Sequence, residues 1–155
     1  MNTKALSSII FAVISLFALA ARGSDSPGLS EPVKSVYDHY LKIQGALAQD
    51  SLKGVQDNAN AIMSTIRKDD VDRFPAALAH QAETLARAGD LAAARKAFKP
   101  LSNSLIKYLA DNKVPKGTYY EVYCPMADAS WLQAGKDVKN PYMGKAMSDC
   151  GVIKD

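Results

Sequence analysis

Sulfur side chains are concentrated near the C-terminal end of this 155-residue chain. Both of its cysteines, Cys124 and Cys150, lie there, together with Met126, Met143 and Met147, three of its five methionines. Thiolate and thioether sulfur favour soft ions such as Cu(I) and Ag(I) over hard cations. If the chain folds back on itself between the two cysteines, these five residues supply the ligands of a soft-metal site.

The same residues admit a plainer interpretation. Methionine at helical spacing is more often core filler than a ligand, and two cysteines in an exported chain often form a disulfide. A bridge between Cys124 and Cys150 would close a loop of about 26 residues and stabilise the fold by about 3 kcal/mol. The residue types leave both alternatives open, a metal site or a disulfide.

The segment that carries Cys124 is expected to be extended. Residues 118–123 are aromatic or β-branched apart from one charged residue, Glu121. No second segment stands out as a partner strand, so we expect an extended stretch that lies on the rest of the fold and ends at Pro125. Trp131, the only tryptophan of the chain, is expected to anchor this region and to shield the site from water.

A short helix is expected before Cys150. Asn140 and Pro141 are typical of a helix start, with Asn as the N-cap and Pro in the first position. A helix over residues 142–148 would place Met143 and Met147 on one face, four positions apart.

Four amphipathic patterns precede this region, each with apolar residues at i, i+3 and i+4 spacing. The first pattern begins near Ser30, and the second follows Asp50 and Ser51. The third begins at Asp70 or Asp72, and the fourth is capped by Asp90. Short connections between four such helices favour an antiparallel bundle.

The sequence therefore predicts an all-α fold. Residues 31–113 would form an antiparallel four-helix bundle, and residues 118–155 an irregular, extended C-terminal cap that contains a short helix. Together they would make one domain, residues 31–155, a size typical of a single domain.

The N-terminal residues resemble an export signal. Residues 1–20 have a short basic start, an apolar stretch without charge and a small-x-small cleavage pattern, which predicts a signal peptide. Residues 21–30 are rich in Ser, Gly and Pro and read as a linker. The mature protein is therefore expected in the periplasm or secreted, with no membrane segment after cleavage.

Neither nucleic-acid binding nor catalysis is indicated by the remaining residues. The net charge is only +3 and no basic run stands out, so no nucleic-acid partner is expected. His39 and His80 have no second histidine or carboxylate at ligand spacing on their own helices, and the chain has no nucleophile elbow or phosphate loop. We therefore expect a protein that is not an enzyme.

The C-terminal motif resembles an uncharacterised bacterial helical domain family. In the helical body, Ala94-Arg95-x-x-Phe98 and Leu101-Ser102 also fit the family pattern, more weakly. The residues that carry the resemblance most specifically are Cys124-Pro125-Met126-Ala127, Trp131-Leu132, Asn140-Pro141-Tyr142-x-Gly144-x-x-Met147 and Cys150-Gly151.

Two departures from the family pattern affect the cap. Only residues 128–130 separate the Cys-Pro-Met-Ala motif from Trp131, where members have a longer insert that contains glycine. Met143 stands where members usually have an aromatic residue, so its assignment as a ligand does not follow from the resemblance.

The resemblance implies heavy-metal handling in the periplasm. Members of that family occur as exported single domains and attached to the periplasmic adaptor subunits of Cus-type copper/silver efflux pumps. Carried over, the metal ligands are Cys124, Met126, Met147 and Cys150, the bound ion is Cu(I) or Ag(I), and the partner is an efflux adaptor or a metal donor. Structural roles in the cap fall to Pro125, Trp131, Asn140, Pro141, Tyr142 and Gly144. The alternative is a disulfide-clamped structural or protein-interaction module without metal.

Overall fold

The computed structural model describes residues 28–154. The signal peptide expected at residues 1–20 and most of the linker, residues 21–27, lie outside the described residues. Four helices come first, followed by a small sheet and one turn of 3-10 helix. The elements are α1 (Val33–Ala48), α2 (Val55–Arg67), α3 (Ala76–Ala86), α4 (Leu91–Asp111), β1 (Tyr120–Cys124), β2 (Ala129–Gln133), a 3-10 helix (Gly144–Met147) and β3 (Val152–Lys154).

The four helices form where the spacing of apolar residues predicts them. The residue at which each helix begins depends on the local backbone conformation. The Asp90 side chain accepts a hydrogen bond from the backbone N–H of Ala93 and caps α4, as predicted. The start predicted for α2 at Asp50 and Ser51 is wrong. This helix begins at Val55, because Gly54 takes a left-handed conformation at its N-cap (φ 77°), which glycine adopts without steric cost. The start predicted for α3 at Asp70 or Asp72 is also wrong, since this helix begins at Ala76, directly after Pro75. No helix between residues 28 and 154 is long and apolar enough to span a membrane.

The all-α prediction is wrong, because the C-terminal region contains a three-stranded antiparallel sheet in the order β2-β1-β3. A hairpin joins β1 to β2, with Cys124 opposite Ala129 and a turn in which the Asp128 N–H donates to the Pro125 carbonyl oxygen. Asp128 has a positive φ of 44°. The predicted extended segment is therefore a strand, and its partner begins four residues after Pro125.

The sheet takes the place where α1 and α4 would meet in a closed four-helix bundle. The helices α1, α2, α3 and α4 pack one on the next, whereas α1 and α4 touch only briefly and β2 packs against both. One hydroxyl joins the three elements. The Tyr40 Oη on α1 accepts from the Leu132 N–H on β2 at 3.0 Å and lies 2.7 Å from the Ser102 Oγ on α4.

Two neighbouring tyrosines on α1 provide a direct test of this junction. Tyr40→Phe is expected to lower the free energy of unfolding by about 1–3 kcal/mol, because it leaves the buried Leu132 N–H and Ser102 hydroxyl without their partner. Tyr37 is equally buried, but among the described residues its hydroxyl has no hydrogen-bond partner. Tyr37→Phe is therefore expected to change stability by less than about 0.5 kcal/mol or to increase it. Equal losses in urea unfolding of the two variants would contradict this account.

A cluster of polar contacts fastens the cap to the helices. Arg95 on α4 donates to the Pro141 carbonyl oxygen at 2.8 Å, to the Leu47 carbonyl oxygen at the end of α1 at 3.0 Å, and to Asp50. Asp50 in turn accepts the backbone N–H of Lys145 at 3.0 Å. The Arg95–Asp50 pair therefore ties the ends of α1 and α4 to the 3-10 helix.

This anchor is expected to fail in acid. Hydrogen bonds from Arg95 and then from the Lys145 N–H lower the pKa of Asp50 below its ordinary value. A lowered carboxyl pKa contributes stability that is present above the unfolded pKa, about 3.9, and is lost as the pH falls through the folded pKa. The stability difference between the parent and Asp50→Asn should therefore shrink in urea unfolding as the pH falls below about 4. A difference that is independent of pH would contradict this role.

Candidate functional site

The fold brings together the two cysteines, which lie 26 positions apart in the sequence. Cys124 is the last residue of β1, and Cys150 stands two residues before β3, which pairs with β1 at Tyr123 and Val152. Their Sγ atoms are 2.6 Å apart, with both side chains as free thiols. The strand pairing thus places both sulfurs at one end of the sheet.

Backbone and side-chain amides surround the Cys124 sulfur. Its side chain is 0% exposed, and burial disfavours its thiolate. The Cys150 thiol, the N–H groups of Ala127 and Met126 and the Asn140 side chain all donate to its sulfur. These hydrogen bonds outweigh burial and lower the pKa of Cys124 below its ordinary value.

Cys150 has the opposite character. Its side chain is half-buried. The hydrogen bond to the Cys124 sulfur, together with burial and the negative charge of that sulfur, raises the pKa of Cys150 above its ordinary value. The N–H of Met126 opposes this rise. The two pKa shifts have opposite directions because the two thiols share one hydrogen bond.

Asn140 is the side chain that positions both cysteines, and it is fully buried. Its Nδ2 donates to the Cys150 carbonyl oxygen at 2.6 Å, and its side chain also donates to the Cys124 sulfur. Its Oδ1 accepts the N–H groups of Tyr142 and Met143 in the turn that precedes the 3-10 helix, which begins at Gly144 and has no side-chain cap. The link from Asn140 to the cysteines could not be expected from the sequence, because it depends on strand pairing.

The methionines are distributed unequally around the thiol pair. The backbone N–H of Met126 is a hydrogen-bond donor to both cysteine sulfurs, and the residue is 66% exposed. The Met147 carbonyl oxygen accepts the Cys150 N–H at 3.2 Å, and its side chain is half-buried. Met143 packs against the hydrophobic core. The expected helix over residues 142–148 is only a 3-10 turn, so Met143 and Met147 do not share an α-helical face.

The other cap residues form the support beneath the thiol pair. Trp131 is fully buried in β2, and its ring centre lies 6.0 Å from that of Tyr142 in an edge-to-face arrangement. The Tyr142 hydroxyl donates to the Ser130 carbonyl oxygen at 2.9 Å. Pro141 accepts from Arg95 and Pro125 opens the hairpin turn. Gly144 has a positive φ of 57° beside Asp50 and Arg95.

Other candidate sites offer less chemistry. Within residues 28–154, no three or more His, Cys, Asp or Glu side chains are grouped so as to hold a metal ion. His39 Nδ1 lies 2.8 Å from the Asn58 Oδ1, and His80 is exposed. A cleft of about 470 Å³ beside β1 contains Tyr120 and Lys154 but neither cysteine, and Lys154 is already paired with Glu121. A soft-ion site here would therefore consist of the two thiols with methionine.

The helical part of the chain matches a known family model. Residues 36–117 match the model described as a protein of unknown function, DUF3347, which is more than half of the chain. The chain belongs to the DUF3347 family. No curated protein and no solved structure matches it.

The DUF3347 match covers a different part of the chain from the motif that first indicated a resemblance. It runs from α1 to the turn before β1 and ends at Gly117. The thiol pair and the sheet lie after it. Family membership therefore rests on the helices, and the chemistry of the thiol pair rests on the geometry of this chain.

Proposed function

We propose that this protein is an exported module that binds one Cu(I) or Ag(I) ion through Cys124 and Cys150. It would hold the ion for a periplasmic efflux adaptor or accept it from a metal donor. The observation that carries the proposal is the contact between two thiols distant in sequence, one of them surrounded by amide donors. Such donors favour the thiolate, the form of cysteine that binds metal.

The donor set suits a soft ion. Two thiolates satisfy the preference of Cu(I) for sulfur. Met126 follows Cys124 by two residues and is exposed, and Met147 precedes Cys150 by three residues, so they are the thioether ligands we propose. Met143 suits this role less, since it packs against the hydrophobic core.

Location and partner are proposed on sequence grounds. The leader-like residues 1–20 support export to the periplasm or the medium. The C-terminal motif supports a link to metal efflux through its resemblance to domains found on Cus-type adaptors. Met126 and Val152 are exposed, and each follows a cysteine by two residues in the sequence.

A Cu(I) competition titration against a chromophoric chelator tests the proposal. The reduced parent is expected to bind one Cu(I) per chain. Cys124→Ser and Cys150→Ser are each expected to lower the affinity by about 100-fold or more, because a hydroxyl replaces a soft ligand. Met126→Leu is expected to lower it by about tenfold.

The matched control for the thioether is Met63→Leu. Met63 is partly buried on α2 against the core and is expected to leave the Cu(I) affinity unchanged. Unchanged affinity in both cysteine variants would refute the proposed function.

A second candidate function is supported by the sulfur separation. The Sγ atoms of Cys124 and Cys150 are in contact, and this arrangement also suits a disulfide. Such a bridge would clamp the cap of a structural or interaction module. In that case the reduced protein would bind no Cu(I), and reduction would cost about 3 kcal/mol of stability.

A further inference from the structure

The two sulfurs of the thiol pair differ sharply in their access to solvent. Cys124 is fully buried at the end of β1, whereas Cys150 is half-buried after the 3-10 helix. Once the two sulfurs are joined as a disulfide, a reagent from solvent reaches Cys150 first. Thiol–disulfide exchange depends on which sulfur the incoming thiolate can attack.

The two cysteines also differ in how the fold holds them. Cys124 is the last residue of β1, the central strand of the sheet, where it lies opposite Ala129 on β2. Cys150 lies in the connection between the 3-10 helix and β3, outside both elements. The sulfur that is open to attack is therefore in a connecting segment, and the buried sulfur is at the end of a paired strand.

We propose that the Cys124–Cys150 pair is a directional thiol–disulfide exchange site, in which an incoming small-molecule thiolate attacks Cys150 and Cys124 is the leaving sulfur. A bond forms between the incoming sulfur and the Cys150 Sγ. The bond between Cys150 and Cys124 breaks, and its electron pair departs on the Cys124 Sγ.

A second thiolate completes the reduction. It attacks the small-molecule sulfur of the mixed disulfide, releases Cys150 and forms a disulfide of the two small thiols. Two thiols are thereby oxidised while the protein disulfide takes up two electrons, and the two protons that the small thiols give up balance those that the protein thiols gain. The inference rests on the proposed function, because the dithiol produced is the form that binds the soft ion.

The direction of exchange is tested on the whole protein by trapping the mixed disulfide. The protein is oxidised with diamide, exposed briefly to glutathione, quenched in acid and digested with trypsin. Cleavage at lysine separates Cys150, in the peptide 146–154, from Cys124, in the peptide 117–136. We expect glutathione on peptide 146–154 in about tenfold or greater excess over peptide 117–136.

Two results would overturn the inference: glutathione on both peptides equally or mainly on 117–136, and failure of the protein to form the internal disulfide. Single-cysteine variants give a second measurement. Cys150 in Cys124→Ser should react with a thiol reagent about tenfold faster than Cys124 in Cys150→Ser, and the difference should vanish in denaturant. The Cu(I) titration of the reduced protein is independent of this direction, so failure of the inference and failure of the proposed function are separately visible.

Discussion

Trp131→Ala is expected to lower the free energy of unfolding by about 3–5 kcal/mol, the largest effect of any single substitution considered. Trp131 is the largest fully buried side chain of the protein's described part and lies opposite Val122 in the β1–β2 pair. Its removal would leave a cavity beside Tyr142, Val122 and Gly151, and the pairing of β2 with β1 would limit how far the cavity closes.

The same tryptophan supports the thiol pair. A Cβ placed on Gly151 would lie 2.8 Å from the Trp131 ring, so the backbone directly after Cys150 rests on this side chain. Loss of the ring should therefore loosen Cys150 as well as the sheet. We expect the variant, if it folds, to bind Cu(I) more weakly than the parent.

Val152→Ala is the matched control on the same sheet. Val152 lies on β3 and is 65% exposed, so truncation should change stability by less than about 0.5 kcal/mol. Urea unfolding of the two variants checks the prediction. A loss below about 1 kcal/mol for Trp131→Ala would show that the cap is not packed as described.

Gly144→Ala is expected to lower the free energy of unfolding by about 2–3 kcal/mol. Gly144 has a positive φ of 57°, which strains any residue with a Cβ. The added methyl would also collide with the Asp50 carboxylate and the Arg95 guanidinium, which together tie the cap to α1 and α4. The backbone strain at residue 144 and the loss of the Asp50–Arg95 contacts both lower the free energy of unfolding of this variant.

Gly135→Ala is the control for a glycine in the same region. A Cβ at Gly135 meets nothing within 4 Å, and its φ is not in the left-handed range. We expect no loss of stability from this change. Similar unfolding midpoints for the Gly144 and Gly135 variants would contradict the anchoring role of the Asp50–Arg95 pair.

The four helices could be predicted from the sequence because apolar spacing and capping residues are local features of the chain. Apolar residues at helical spacing identified all four, and the Asp90 cap was correctly placed. The predicted start of α2 is wrong because Gly54 takes a left-handed conformation at the N-cap. In the sequence, Gly54 is equally compatible with a position inside a weak first turn of the helix. Whether a glycine takes a left-handed or a helical conformation depends on its surroundings in the folded protein.

The sheet was missed because β2, the hairpin partner of β1, has no clear alternation of buried and exposed residues. In β2 the three residues from Trp131 to Gln133 are all buried, since this strand packs against the helices α1 and α4 as well as pairing with β1. A strand covered in this way loses the period of two that identifies strands in a sequence. β3 has only three residues, Val152–Lys154, and forms through pairing with β1.

The candidate site was partly visible in the sequence. The sulfur-containing candidates could be named from their residue types alone. The expectation that the cap folds back between Cys124 and Cys150 agrees with the contact between their Sγ atoms. The role of Asn140 was foreseen only as a helix cap. Its bonds to both cysteines join segments 10 and more residues apart, and such contacts follow from tertiary packing.

The central claim is that Cys124 and Cys150 form a thiol pair that holds one soft ion in its reduced state. Native mass spectrometry of the protein, titrated with Cu(I) in parallel as the reduced and the diamide-oxidised form, tests it most directly. The account predicts a single Cu(I) adduct on the reduced chain and none on the oxidised chain, whose mass is lower by about two units because two thiol hydrogens are lost. An absence of Cu(I) on the reduced chain, or equal Cu(I) on both forms, would contradict it.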